Sequence, residues 1–234
     1  MLKAWCIKHL KILLITVTIM SLSPMIASAN YHNGAHQNLS GSNYIEGVYA
    51  QIGTAKYPAL FNGSTSSAWP MVSNSNNYLQ YVQVGWEYLF DINNNKTMRY
   101  FFQANNGSLT DFYNIFSSTG PAQDTTHNYQ VVLNGSFGTG TWVGTVDNAT
   151  ISSYPDSQLS WTPPNRVSYH GEVYDYNAAF PGQASDHVNF SNVQYYDGGL
   201  GRWTVPNLSR DIDPNYGAVQ WTVGNDFTTW DTRY

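Results

Sequence analysis

The stretch from Leu79 to Phe90, Leu-Gln-Tyr-Val-Gln-Val-Gly-Trp-Glu-Tyr-Leu-Phe, changes side-chain character at nearly every step. A period of two fits an extended strand with two unlike faces and fits no helix. Val82, Val84, Trp86 and Tyr88 form an apolar face, while Tyr81, Gln83, Gly85 and Glu87 form a polar one. A chain built on such strands must cover the apolar faces with a second layer, which points to sheet packed on sheet. The polar face is either covered by water or used for binding, depending on what other strands bring to it.

The pattern recurs along the chain. Strands are expected over 45–52, 66–72, 97–104, 129–133, 141–146, 167–174, 188–196 and 216–223. Turn signals lie between them at Ser73 to Asn77, Asp91 to Lys96, Asn134-Gly135, Asp147-Asn148 and Asp197-Gly198-Gly199. The segment 105–126 reads as a long connection, and no stretch of more than ten residues has helical periodicity. Many short strands with frequent turns argue an all-β sandwich or barrel. In the expected core are Val48, Ala50, Ile52, Val82, Val84, Trp86, Val167, Val173 and Phe190.

Residues 1–29 read as a secretory signal peptide, with Lys3, Lys8 and Lys11 before an apolar run from Ile12 to Met20 and the small residues Ala27-Ser28-Ala29 at its end. Residues 30–44 lack apolar periodicity and are expected to be a flexible leader, with 45–234 forming one β-sandwich domain. The expectation is a secreted, extracellular monomer, without a disulfide because the single cysteine, Cys6, lies in the signal segment. Beyond that segment, seven basic residues stand against fifteen acidic ones, a formal charge of −8, which disfavours nucleic acid and anionic membranes as partners.

Val-Ser-Tyr-His-Gly-Glu-Val-Tyr, residues 167–174, puts His170, Glu172 and Tyr174 on one face and Val167, Tyr169 and Val173 on the other. If the two polar faces line one sheet, Gln83, Glu87, His170 and Glu172 meet in a groove. A carboxyl that activates water and an amide that donates to an oxyanion suffice for amide hydrolysis, and Glu172 and Gln83 have those chemistries. Gly171 is expected to leave backbone room for a substrate, and a cationic His170 to favour the Glu172 carboxylate.

These residues resemble the eqolisin-type glutamic peptidases. Ser66-Ser67-Ala68-Trp69, followed by Gln83 in Val82-Gln83-Val84-Gly85, is similar to the family's Ser-Ser-Trp segment before a Gln-x-Gly strand, and Glu172 matches its later catalytic glutamate. His170-Gly171-Glu172-Val173 also resembles the Gly-Glu-Val surroundings of a catalytic glutamate in the related neprosin family. There the first dyad residue is a glutamate in Glu-x-Gly-Trp, where this chain has Gln83-Val84-Gly85-Trp86. The resemblance implies a concanavalin-like jelly roll of two antiparallel sheets, a polypeptide substrate, an acidic working pH and no metal or other cofactor. It implies Gln83 and Glu172 as the catalytic pair, and the substrate contacts are expected from Trp69, Tyr81, Glu87, His170 and Tyr174.

Other chemistries find less support. His32, His36, His127, His170 and His187 show no close pair with metal-ligand spacing on an expected strand, so no metal site is expected. A Gly-x-Ser-x-Gly elbow is absent, which disfavours Ser/His/Asp catalysis. The competing class is a non-catalytic, lectin-like module binding extracellular glycans, because Tyr81, Trp86, Tyr174, Tyr195 and Tyr196 are numerous enough to stack on sugar rings. A glycosidase needs two facing carboxylates, and Glu87 with Glu172 is the one pair these strand faces suggest.

Overall fold

The computed structural model describes residues 31–40, 43–56, 64–91, 93, 95–108, 112–173, 175 and 178–234. Two antiparallel sheets pack face to face as a β-sandwich. The first contains β1 (Tyr31–Asn38), β3 (Ser64–Asn74), β4 (Asn77–Phe90), β5 (Lys96–Asn106), β6 (Phe112–Phe116), β10 (Arg166–Val173) and β13 (Ser209–Ile212). Its spatial order is β13-β1-β10-β3-β4-β5-β6. The second contains β2 (Ile45–Gly53), β7 (Thr126–Asn134), β8 (Thr141–Val146), β9 (Ala149–Pro155), β11 (Val188–Asp197), β14 (Gly217–Trp221) and β15 (Phe227–Asp231). It is ordered β14-β15-β11-β2-β7-β8-β9, with the short β12 (Arg202–Thr204) beside β11. One 3₁₀ turn, Asp156–Gln158, follows β9.

The period-two reading of β4 holds along its length. Val82, Val84, Trp86 and Tyr88 point between the sheets with Ala68, Val72, Phe102 and Val167, against Val48, Ala50, Ile52, Val131, Trp142 and Phe190 of the second sheet. Every residue of the expected core set is at most 1% exposed. Val173 belongs to a separate small cluster with Ala178 and Phe180. Fully burying a side chain of this size contributes about 1.5–3 kcal/mol, so the interface between the sheets dominates stability.

A polar anchor pins one end of this core. Asp156 is 2% exposed, and its Oδ1 accepts from the indole N–H groups of Trp142 at 2.5 Å and Trp161 at 3.0 Å. The two-residue turn Asp147-Asn148 between β8 and β9 has φ of 49° and 66°. That left-handed pair matches the twist of a tight hairpin. Asn134-Gly135, expected as an equally tight turn, instead opens a longer loop to Thr141, closed by Gly140 N–H donating to the Ser136 carbonyl at 2.6 Å.

The signal-peptide expectation lies outside the described residues. Most of the expected leader is structured instead: Tyr31–Asn38 is strand β1, paired with both β10 and β13. Its inward residues include Asn33 and Ala35, so the apolar alternation that marks other strands is missing and backbone pairing on both edges holds it. The connection over 105–126 contains β6, and β9, β12, β13 and β15 are further strands whose short or polar sequences carry little periodicity.

Candidate active site

The register of the first sheet fixes which side chains share its polar face. His32, Glu172, Ser67, Glu87 and Arg99 lie in one cross-strand row over β1, β10, β3, β4 and β5. The next row is Asp211, Gly34, His170, Trp69, Gly85 and Phe101, from β13 to β5. A third holds His36, Ser168, Met71, Gln83 and Gln103, and a fourth Arg166, Ser73, Tyr81 and Asn105. Gln83, Glu87, His170 and Glu172 thus share one face, together with Trp69 and Tyr81. Tyr174 lies outside the described residues.

Glu172 is held by hydrogen bonds from β3. The indole N–H of Trp69 donates to its Oε2 at 2.5 Å, and Ser67 Oγ lies 3.5 Å from the same oxygen. Trp69 can lean along β3 into the Glu172 row because its cross-strand neighbours leave space. Gly85 stands opposite it on β4, and a Cβ there would overlap the Ala68 carbonyl oxygen and come within 2.8 Å of Trp69 Cβ. On the other side Gly34 faces His170, whose ring is 5.1 Å from that of Trp69. Two large rings in adjacent strands are therefore flanked by glycines.

Burial pushes the Glu172 carboxyl above its ordinary range. The Trp69 hydrogen bond, the charge of His32 and the Ser67 hydroxyl pull it back, while Glu87 pushes it further up. Burial also raises Glu87, against the Arg99 guanidinium, whose Nε and Nη2 contact Glu87 Oε1 at 2.6 and 2.5 Å. Both carboxyls are thus disposed to hold a proton that an exposed glutamate would release. Arg99 in turn lies 3.5 Å from the centre of the Phe116 ring.

Gln83 is 5% exposed and donates through Nε2 to Gln103 Oε1 at 2.7 Å. It pairs with Met71, four residues along β4 from Glu87, an offset of roughly 13 Å along the strand at the usual rise per residue. Glu87, rather than Gln83, stands level with Glu172 across β3. Next to Gln83, Trp69, Met71 and Phe101 form a small apolar cluster on this face, with Tyr81 and Phe116 against it.

Two finer expectations change. Gly171 points to the opposite side of β10, where a Cβ would come within 2.7 Å of Pro181, so its missing side chain makes room for packing and not for a substrate. His170 is not the cation beside Glu172, because burial outweighs its contact with Asp211 and pushes its pKa down to about 3. The histidine disposed to take up a proton beside Glu172 is His32, its direct cross-strand partner. Burial works against the charge of His32, but Asp211 and Glu172 together raise its pKa.

Sequence reasoning missed one constellation on this face. Asp211 on β13 gathers His32 Nε2 at 3.2 Å, His170 Nε2 at 3.4 Å, His36 Nδ1 at 3.4 Å and Arg166 Nη2 at 3.0 Å. Burial alone would raise Asp211, yet its histidine contacts hold it far below the ordinary carboxylate range. The one available signal was the alternation His32, Gly34, His36 within a segment otherwise without apolar pattern.

Comparison with solved structures identifies the architecture. Scytalido-glutamic peptidase with a peptide-based transition-state analogue matches with a TM-score of 0.58, over 88% of this chain and 100% of that one, at 10% sequence identity. SCP-B, a member of the eqolisin family of peptidases in complex with the tripeptide Ala-Ile-His, matches with a TM-score of 0.57 at 11% identity and the same coverage. The fold is that of the glutamic peptidases. No protein-family model matches the sequence, and no curated protein matches it at a significant level. At this identity the likeness speaks for the concanavalin-like double sheet, and function must be argued from the site.

Proposed function

We propose that this chain is a secreted hydrolase of the glutamic-peptidase type, cleaving peptide bonds with Glu172 as general acid and base. One observation carries the reading: Glu172 is a carboxyl gripped by the Trp69 indole N–H, on the polar face of a sheet in the glutamic-peptidase fold. A carboxyl that passes between its two protonation states can activate water in one and protonate the leaving nitrogen in the other. Support for the substrate class comes from the peptide-based ligands of scytalido-glutamic peptidase and SCP-B.

We assign the second role on β4 to Glu87, which shares a cross-strand row with Glu172 and brings the Arg99 guanidinium to the same region. A cation or a protonated carboxyl there can stabilise the oxyanion that develops on the scissile carbonyl. Gln83, the partner that the Gln-x-Gly motif implies, is offset along β4 and engaged with Gln103, so we assign it to substrate contact. The test is casein cleavage by the purified protein from about pH 3 to 7, the range over which such carboxyls titrate. Glu87→Gln is expected to lose far more activity than Gln83→Ala. The reverse order would return the second role to Gln83, and absence of cleavage at every pH would end the peptidase reading.

A separate observation favours glycan binding as the second reading. Tyr49, Gln130, Asn192, Gln194 and Trp203 line a depression on the second sheet, combining aromatic faces with amides. Tyr49 and Tyr196 rings lie 6.4 and 5.6 Å from the Trp203 ring. Retention of a glycan without cleavage of any polypeptide would favour this module over the peptidase.

A further inference from the structure

His32, His170 and Asp211 come from three neighbouring strands, β1, β10 and β13, and present one ligand atom each within 4.8 Å of one another. Their chemistry, two imidazoles and a carboxylate, is a donor set that borderline divalent metals select. An ion network alone leaves one feature unexplained. His170 is 2% exposed, and among the described residues neither of its ring nitrogens makes a hydrogen bond. Its Nε2 points at Asp211 from 3.4 Å, too long for a charge-assisted hydrogen bond of about 2.7–2.9 Å. Buried polar nitrogens are almost always satisfied, so an orphaned imidazole aimed at a carboxylate calls for a partner.

The spacing of the three groups can accommodate a shared metal ion. Zinc held tetrahedrally at about 2.0–2.1 Å from each ligand sets neighbouring ligand atoms about 3.3–3.4 Å apart. His32 Nε2 lies 3.2 Å from Asp211 Oδ1 and His170 Nε2 lies 3.4 Å from Asp211 Oδ2, one histidine to each carboxylate oxygen. With all three ligand atoms within 4.8 Å of one another, a small rotation of the partly exposed His32 and Asp211 side chains closes them on one ion. Arg166 contacts Asp211 Oδ2, the oxygen that faces His170, at 3.0 Å and so can orient the carboxylate, as hydrogen-bonding partners of metal-bound carboxylates do. His36 approaches the same oxygen at 3.4 Å. The His32 and Asp211 side chains are 42% and 27% exposed, so the cluster opens to solvent on the side away from His170.

We propose that His32, His170 and Asp211 form a binding site for a divalent transition metal of the zinc class, next to Glu172, with three protein ligands and a water in the fourth position. The sequence hides such a site because its ligands lie on strands far apart in the chain. It goes beyond the peptidase reading and is tested apart from any activity. The purified chain, stripped with a chelator, is titrated with Zn²⁺ by calorimetry, and bound metal per chain is measured by elemental analysis. One ion per chain is expected, with affinity weakened by roughly tenfold or more in His32→Ala and in Asp211→Asn. His187→Ala, on the other sheet's side of the molecule, should leave affinity unchanged. Because His32 is partly exposed, His32→Ala should fold even if Asp211→Asn does not, and unchanged circular dichroism verifies this. A wild-type chain that takes up no Zn²⁺, or one whose Zn²⁺ affinity is unaltered by His32→Ala, overturns the proposal.

Discussion

Gly85→Ala tests the packing that aims Trp69 at Glu172. The added methyl would overlap the backbone carbonyl oxygen of Ala68 and meet Trp69 Cβ at 2.8 Å and Phe101 Cε1 at 3.0 Å. The nearest atom belongs to the β3–β4 ladder and cannot step aside as a flexible side-chain end would. Forcing a methyl into a packed site costs about 1–3 kcal/mol. Stiffening the unfolded chain returns about 0.4–1 kcal/mol where the native backbone tolerates alanine. From the middle of each range, the net expectation is a loss of about 1.3 kcal/mol, or a melting temperature lower by roughly 3–5 °C for a protein of this size. Gly53→Ala supplies the control, because its methyl would meet Asn189 at ordinary contact distances of 3.5–3.6 Å. Paired calorimetric melts of the two variants read the difference. If Gly85→Ala melts with Gly53→Ala and wild type, Trp69 does not lie against the Gly85 backbone as described.

Three further outcomes follow from the contacts. Asp156→Ala strands the indole N–H groups of Trp142 and Trp161, and at about 1–3 kcal/mol for each buried donor left unpaired it should be among the most destabilising polar substitutions in urea unfolding; Asp156→Asn, which keeps an acceptor oxygen, should cost less. Trp69→Phe keeps an aromatic ring but removes the donor to Glu172 and some packing volume, so it should slow hydrolysis by roughly tenfold or more in protein that still folds, with some loss in melting temperature, and an unchanged rate would mean the hydrogen bond does not position Glu172. Glu87 is raised above its ordinary value of 4.5, so the folded state binds its proton more tightly than the unfolded one. Its contribution to stability is therefore greatest below that value and declines as pH rises through the raised one. Glu87→Gln should flatten this part of the pH-stability profile, and a steeper decline in the variant would contradict the sign.

Where strands alternate apolar with polar residues the sequence revealed both strand and face, because burial between two sheets demands that alternation. β4, β10 and the core set are of this kind. β1 and β13 were illegible for the opposite reason: Tyr-His-Asn-Gly-Ala-His-Gln-Asn and Ser-Arg-Asp-Ile form the last two strands at one end of the first sheet and are held by backbone pairing, with few apolar residues turned inward. Membership of the site face followed from alternation, which is how Gln83, Glu87, His170 and Glu172 could be grouped. Their positions along the face did not, since register depends on which strands pair and where each hairpin turns. The position of Gln83 beside Met71 rather than Ser67 is a fact of this kind. So is the Asp211 cluster, whose members no local pattern connects.

The central claim, that Glu172 moves the proton in peptide hydrolysis, is tested most directly by comparing casein hydrolysis by wild type and Glu172→Gln at the pH of maximal activity. Glutamine keeps the shape and can still accept from the Trp69 indole, so the variant should match wild type in its melting transition. Activity should fall by at least about a hundredfold, the usual contribution of a general acid or base. A Glu172→Gln protein that folds normally and cleaves casein at close to the wild-type rate contradicts the assignment.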